Sequence, residues 1–207
     1  SGFAANLDLS SLDGSNGFQI NGESDIYLVS FGTVVSGAGD VNGDGFADII
    51  IGAPSASSSG NGSGVSYVFF GHGGAFPASV IASSLNGTNG FKLTGDIEDS
   101  FRGAVNSAGD INGDGFDDVM IGGRSLSVVF GHSGVFPASI SLSNLTAPTG
   151  FEFIRAPLDE SDSGISGRAA GDVNGDGFDD LVIGDDKALI LNNDEDRTGV
   201  DYVVSGH

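Results

Sequence analysis

The chain contains no cysteine and no tryptophan, one methionine, three tyrosines and only 7 lysines and arginines among its 207 residues. Without cysteine there is no disulfide and no thiolate ligand, so any metal chemistry must use oxygen or histidine nitrogen. A secreted protein that folds without disulfides, as is common in bacteria, fits that composition. Against the 7 basic residues stand 28 acidic ones, for a net charge of −21. Such a surface repels phosphate backbones and excludes nucleic acid as the expected partner. No apolar run approaches the ~18 residues of a membrane helix, so no membrane span is expected. No signal peptide is visible and the chain begins at Ser1, which reads as a mature or excised segment.

What the chain has in abundance is glycine, 36 residues, together with short compact apolar runs such as Ile49-Ile50-Ile51. Short strands joined by tight turns produce that pattern, and no stretch sustains a 3.6-residue period. The length suits one all-β unit, since such domains often reach ~200–250 residues.

A repeat organises the chain. Gly39 to Asp48 reads GDVNGDGFAD, Gly109 to Asp118 reads GDINGDGFDD, and Gly171 to Asp180 reads GDVNGDGFDD. An apolar run and a glycine follow each: Ile49-Ile50-Ile51-Gly52, Val119-Met120-Ile121-Gly122 and Leu181-Val182-Ile183-Gly184. The loops start at residues 40, 110 and 172, hence 70 and then 62 residues apart, a spacing fit for a four-stranded unit. The flanks repeat as well. Phe76-Pro77-Ala78-Ser79 matches Phe136-Pro137-Ala138-Ser139 and, more loosely, Phe3-Ala4-Ala5-Asn6; Gly64 to His72 matches Gly199 to His207. Repeats at about 3–75, 76–135 and 136–207 form a single region. Four strands are expected per repeat: one approaching the loop, one leaving it (47–51, 117–121 and 179–183), a Tyr-Val-Phe-type run, and a segment around Phe18, Phe91 or Phe151.

Each loop has the chemistry of a calcium site. Counting from its first aspartate, positions 1, 3, 5 and 9 carry hard side-chain oxygens: Asp40, Asn42, Asp44 and Asp48; Asp110, Asn112, Asp114 and Asp118; Asp172, Asn174, Asp176 and Asp180. Calcium takes ~6–8 oxygen ligands, which alternate residues of a tight loop can aim at one centre. Position 7 is Phe46, Phe116 or Phe178; its carbonyl is the expected fifth donor and its ring is expected in the core. Glycines at positions 4 and 6 permit the turns that bring the donors round. An EF-hand loop begins alike but needs an acidic ligand at position 12 and then a helix. Position 12 here is Ile51, Ile121 or Ile183, within a β-branched run. Ion-free Asx-turns are the plainer alternative, but three copies keeping the same donor types favour three calcium sites.

At this point the sequence resembles the FG-GAP repeat family, the units of the integrin α-subunit propeller. Phe31-Gly32 stands ahead of the first loop and Gly52-Ala53-Pro54 after it. The resemblance implies a β-propeller of four-stranded antiparallel blades, with structural calcium between the first two strands of each, in a non-enzymatic extracellular or cell-surface module for adhesion. Its partner would be an extracellular protein or glycan. The second repeat reads Phe101-Arg102-Gly103 and Gly122-Gly123-Arg124, and the third reads Ser163-Gly164-Ile165 and Gly184-Asp185-Asp186, so both signatures are altered there while the ligands persist. The stretch 187–196 has no counterpart.

Three repeats are too few for the family's ring of about seven blades. The chain opens on a fourth-strand segment and stops after a third strand, leaving edges that seek partners. Two arrangements follow: a homodimer completing a six-bladed ring by exchanging first strands, or a part of a larger propeller. A carbohydrate-binding module, or the non-catalytic part of a secreted polysaccharide-active enzyme, is the alternative; the lack of tryptophan weighs against the first. His72, His132 and His207 recur at one repeat position and read as turn residues. The sequons at Asn61, Asn86 and Asn144 are short patterns. Arg102, Arg124, Arg155, Arg168 and Arg197 are scattered, and Asp159-Glu160-Ser161-Asp162 reads as a solvated acidic loop.

Overall fold

The computed structural model describes residues 5–23, 30–56, 63–95, 104–154, 164–185 and 199–207. Phe3-Ala4, Asn61, Phe101-Arg102-Gly103, Arg155, Asp159 to Asp162, Ser163, the stretch 187–196 and Arg197 lie outside them. The fold is all-β and propeller-like: successive antiparallel sheets stand face to face, with single 3₁₀ turns at Leu9–Ser11, Ala82–Ser84 and Leu142–Asn144.

Fourteen strands are formed by the described residues. The first sheet runs β2 (Val34–Gly39), β3 (Asp48–Ala53), β4 (Val65–Phe69) and β6 (Gly90–Thr94), each antiparallel to the next. The second repeats it with β7 (Ala104–Gly109), β8 (Asp118–Gly122), β9 (Leu126–Val129) and β11 (Gly150–Phe153). The third comprises β12 (Ile165–Gly171), β13 (Asp180–Asp185) and β14 (Val200–Val204). It has three strands, not four, among the described residues. The fourth strand of the first sheet is the Phe91 segment, which follows β4 in the chain after a further short strand.

That further strand was not legible in the pattern. β5 (Ser79–Ile81) runs parallel to β1 (Gln19–Asn21), and β10 (Ser139–Ser141) runs parallel to the outer strand β6 of the sheet before its own. Three residues are too few to display a period of two, so the Phe-Pro-Ala-Ser motif advertises a turn and conceals the strand after it. Each such strand ties one repeat to the outer edge of its predecessor.

The central strands are apolar without alternation because both of their faces are covered. Ile50 and Val68 point from the first sheet into a cluster shared with Val105, Val119, Ile121 and Val129 of the second. Ile51, Tyr67 and Phe69 point the other way, toward Ile20, Phe31 and Val80. Met120 and Val128 face Ile165, Leu181 and Ile183 of the third sheet. Phe91 and Phe136 stack at 4.6 Å between centroids across the first junction, an arrangement worth about 1 kcal/mol beyond the area it buries.

The trailing face of the third sheet differs. Positions that the next sheet covers elsewhere are open here: Val41 and Ile111 are 0% and 5% exposed but Val173 is 62%, and Val68 and Val128 are both 0% but Val203 is 63%. Two chemically identical substitutions therefore separate packing from propensity. Val68→Ala should lower the unfolding free energy by about 2 kcal/mol, whereas Val203→Ala should stay within roughly 0.5 kcal/mol of the parent. Urea denaturation reads both, and equal losses would contradict the face-to-face stacking.

Candidate metal centres

All three loops leave the first strand of their sheet through the same irregularity. The register shifts between Gly37 and Gly39, Ser107 and Gly109, and Ala169 and Gly171. The glycine at each step has φ of +81°, +68° or +71°, in the left-handed region that other L residues enter at a cost. This bulge turns the chain out of the ladder and presents the first aspartate.

The donors then fold inward on the loop's own amides. In the first loop Asp44 N–H donates to Asp40 Oδ1 and to Asn42 Oδ1, both at 3.0 Å, and Gly45 N–H donates to Asp40 Oδ2 at 2.9 Å. Phe46 N–H donates to Asp44 Oδ1 at 2.9 Å, and Asn42 Nδ2 donates to Asp44 Oδ2 at 3.0 Å. The second loop repeats this with Asp110, Asn112 and Asp114, and the third with Asp172, Asn174 and Asp176, all between 2.8 and 3.0 Å. The third loop adds a bond from Gly175 N–H to Asp172 Oδ1 at 2.6 Å.

The ninth-position aspartates stand apart from that cluster. Asp48, Asp118 and Asp180 are buried at the root of the second strand. Each accepts an amide from Val41, Ile111 or Val173 within the loop and another from Gly71, Gly131 or Gly206 at the end of the third strand, and Asp180 accepts a third from Asn174. The carboxylate thus fastens the loop to the strand beyond its neighbour. Consequently no three acidic or histidine side chains converge as a metal-binding group among the described residues. The donor chemistry nevertheless suits calcium: every candidate side-chain ligand offers oxygen, and a carboxylate oxygen that accepts one N–H keeps a lone pair.

Burial pushes Asp48 up to about 6 and Asp118 up to about 7, against the bonds from Gly71 and Val41, or Gly131 and Ile111, which lower them; the nearby Asp44 and Asp40, or Asp114 and Asp110, raise them further.

The seventh-position rings are not in the core as expected. Phe116 lies over Gly43 of the preceding loop and Phe178 over Gly113, where any Cβ would collide with the ring. Phe46 has no preceding loop to cover among the described residues and is 45% exposed, lining an apolar cleft with Phe18, Phe76 and Val80. His72 and His132 sit in equivalent turns, each ring against its own Phe76 or Phe136 at 4.0 and 3.8 Å, in keeping with turn residues.

The comparisons with known proteins meet this geometry. The FG-GAP repeat family matches residues 31–69, which span the first loop and strands β2 to β4. The chain is 32% identical to integrin alpha-2 of Mus musculus over 92 residues, 44% of this chain and 7% of that protein. It is 31% identical to integrin alpha-E of Mus musculus over 125 residues, 55% of this chain and 10% of that one. With integrin alpha-6 of Gallus gallus it shares 34% over 84 residues, 40% and 7% of the two chains. Residues 31–69 thus carry an FG-GAP repeat, and the chain is similar to integrin α subunits over a tenth or less of the length of those relatives.

A pH dependence follows from the two raised carboxyls. Their native pKa values exceed the unfolded value, so the native state binds protons more tightly and stability falls as pH rises from about 4 to about 7. In chelator, the unfolding free energy should drop across that range, by on the order of a few kcal/mol in total, carrying the denaturation midpoint down with it, and then level off. A midpoint that climbs from pH 4.5 to 7.5 would contradict the burial of uncompensated carboxylates.

Proposed function

We propose that the chain forms blades of a calcium-stabilised, integrin-like β-propeller that serves adhesion or protein recognition outside the cell, without catalysis. The observation that carries the reading is the threefold recurrence of one oxygen-lined loop at the same junction of successive sheets. Asp40, Asn42, Asp44 and Asp48 would hold one ion with the carbonyl of Phe46. Asp110, Asn112, Asp114, Phe116 and Asp118 would hold the second, and Asp172, Asn174, Asp176, Phe178 and Asp180 the third. The likeness to integrin α subunits supports the extracellular setting. Among the described residues no helix is long and apolar enough to cross a membrane.

Calcium here is structural. Each loop carries three carboxylates, two in the turn and the ninth at its root, and a bound divalent ion would offset their mutual repulsion. An ion that binds the native state alone stabilises it by mass action, about 2.7 kcal/mol per site at a hundredfold excess over Kd. Extracellular modules commonly bind with Kd of roughly 10⁻⁴–10⁻³ M, which keeps such loops filled outside the cell and empty within it.

Titration calorimetry should find three calcium equivalents, and Asp44→Ala should remove one. EDTA should lower the melting temperature, and calcium, more than magnesium, should restore it. Absence of binding at millimolar calcium would end the reading.

A further inference from the structure

We propose that Asp117 and Asp179 are positioning residues for the loop of the preceding sheet, holding Asp40 and Asp110 in the orientation that calcium requires. The inference rests on the calcium reading above, and it concerns residues outside the candidate ligand sets.

Asp117 is the eighth residue of the second loop, yet its carboxylate is engaged with the first. Asp40 N–H donates to Asp117 Oδ2 at 2.7 Å, and Asp117 N–H donates to the Asp40 carbonyl at 3.1 Å. His132 N–H donates to the adjoining Val41 carbonyl at 3.1 Å. Both backbone polar groups of the first ligand residue are therefore held by the next sheet. The second junction repeats the pattern: Asp110 N–H donates to Asp179 Oδ2 at 3.0 Å, Asp179 N–H to the Asp110 carbonyl at 3.2 Å, and His207 N–H to the Ile111 carbonyl at 3.0 Å.

Glycine makes room for this contact. A Cβ on Gly39 would strike the Asp117 carboxylate, and one on Gly109 would strike that of Asp179. The seated carboxylate and the ring of Phe116 or Phe178 over Gly43 or Gly113 close the preceding loop from one side. Fixing the backbone at residue 40 fixes where the Asp40 carboxylate starts, and both of its oxygens anchor the turn that carries Asp44. An ordered ligand loses less entropy when the ion arrives, so the clamp should tighten binding one sheet away. The first loop has Ala47 at the eighth position. Among the described residues no carboxylate clamps Asp172, so the third loop is an internal reference.

Calcium titration of the 207-residue chain and its variants tests this. Asp117→Ala should weaken one site by about tenfold, the scale of losing a bond to a charged acceptor. Asp179→Ala should weaken a different site, with the third unmoved. Asp117→Ser, too short to reach residue 40, should repeat the loss if the alanine variant folds poorly. Asp117→Asn keeps an acceptor oxygen and should stay within about threefold of the parent. Double-mutant cycles assign the site: the Asp117→Ala loss should vanish in the Asp44→Ala background and persist with Asp114→Ala. A loss that tracks Asp114 instead, unchanged affinities, or an asparagine variant as weak as the alanine one would overturn the positioning role. A parent chain that binds no calcium would overturn the reading beneath it, a distinct result.

Discussion

A sheet whose two faces are both apolar cannot stand alone in water, and this constraint organises the chain. Burial is worth about 25 cal/mol per Å², so each central strand, with apolar side chains on both faces, needs a neighbouring sheet on either side. The first and second sheets meet through Ile50, Val68, Val119 and Val129, and the second and third through Met120, Val128 and Leu181. Stability in such an array is close to a sum of units and nearest-neighbour junctions. The bulged strand ends, the loops and the short parallel strands all occupy positions that this stacking sets.

The loops exploit the junction. A turn of alternating aspartate and glycine has little apolar surface with which to order itself, and its carboxylates repel. Part of the ordering comes from outside the turn. The buried ninth aspartate ties it to the end of the third strand, and in the first two repeats the following sheet sets a phenylalanine ring and an aspartate against the glycines there. Hydrogen bonds of amides to charged oxygens contribute more than neutral ones, about 1.5–3 kcal/mol each. Burial offsets part of that gain, as the raised positions of Asp48 and Asp118 record.

Much of this was legible in the residues. The strands leaving the loops were foreseen at 47–51, 117–121 and 179–183 and form at Asp48–Ala53, Asp118–Gly122 and Asp180–Asp185. Apolar runs bounded by glycine define their own limits. The loops were legible because their glycines and aspartates have few other uses at that spacing. What local pattern could not disclose lies between repeats. The parallel strands at Ser79–Ile81 and Ser139–Ser141 are too short to carry a signature. The destination of the Phe116 and Phe178 rings depends on Gly43 and Gly113, 73 and 65 residues earlier in the chain, so position 7 looked like a core residue when it is a junction residue.

One signal for the junction was present and easily passed over. The loops end in Phe-Asp-Asp in the second and third repeats but in Phe-Ala-Asp in the first. Within a single loop the middle residue has no evident task, since the donors at positions 1, 3, 5 and 9 exclude it. Its carboxylate acts across the junction, which only the folded arrangement brings together. Ala47 cannot accept a hydrogen bond through its side chain, so any sheet packed against the leading face of the first sheet must be held by other groups. Among the described residues, the exposed Phe46 ring and the apolar cleft beside it lie on that face. A difference of one carboxylate between otherwise matching loops thus marks which loops are seated on a preceding sheet among the described residues.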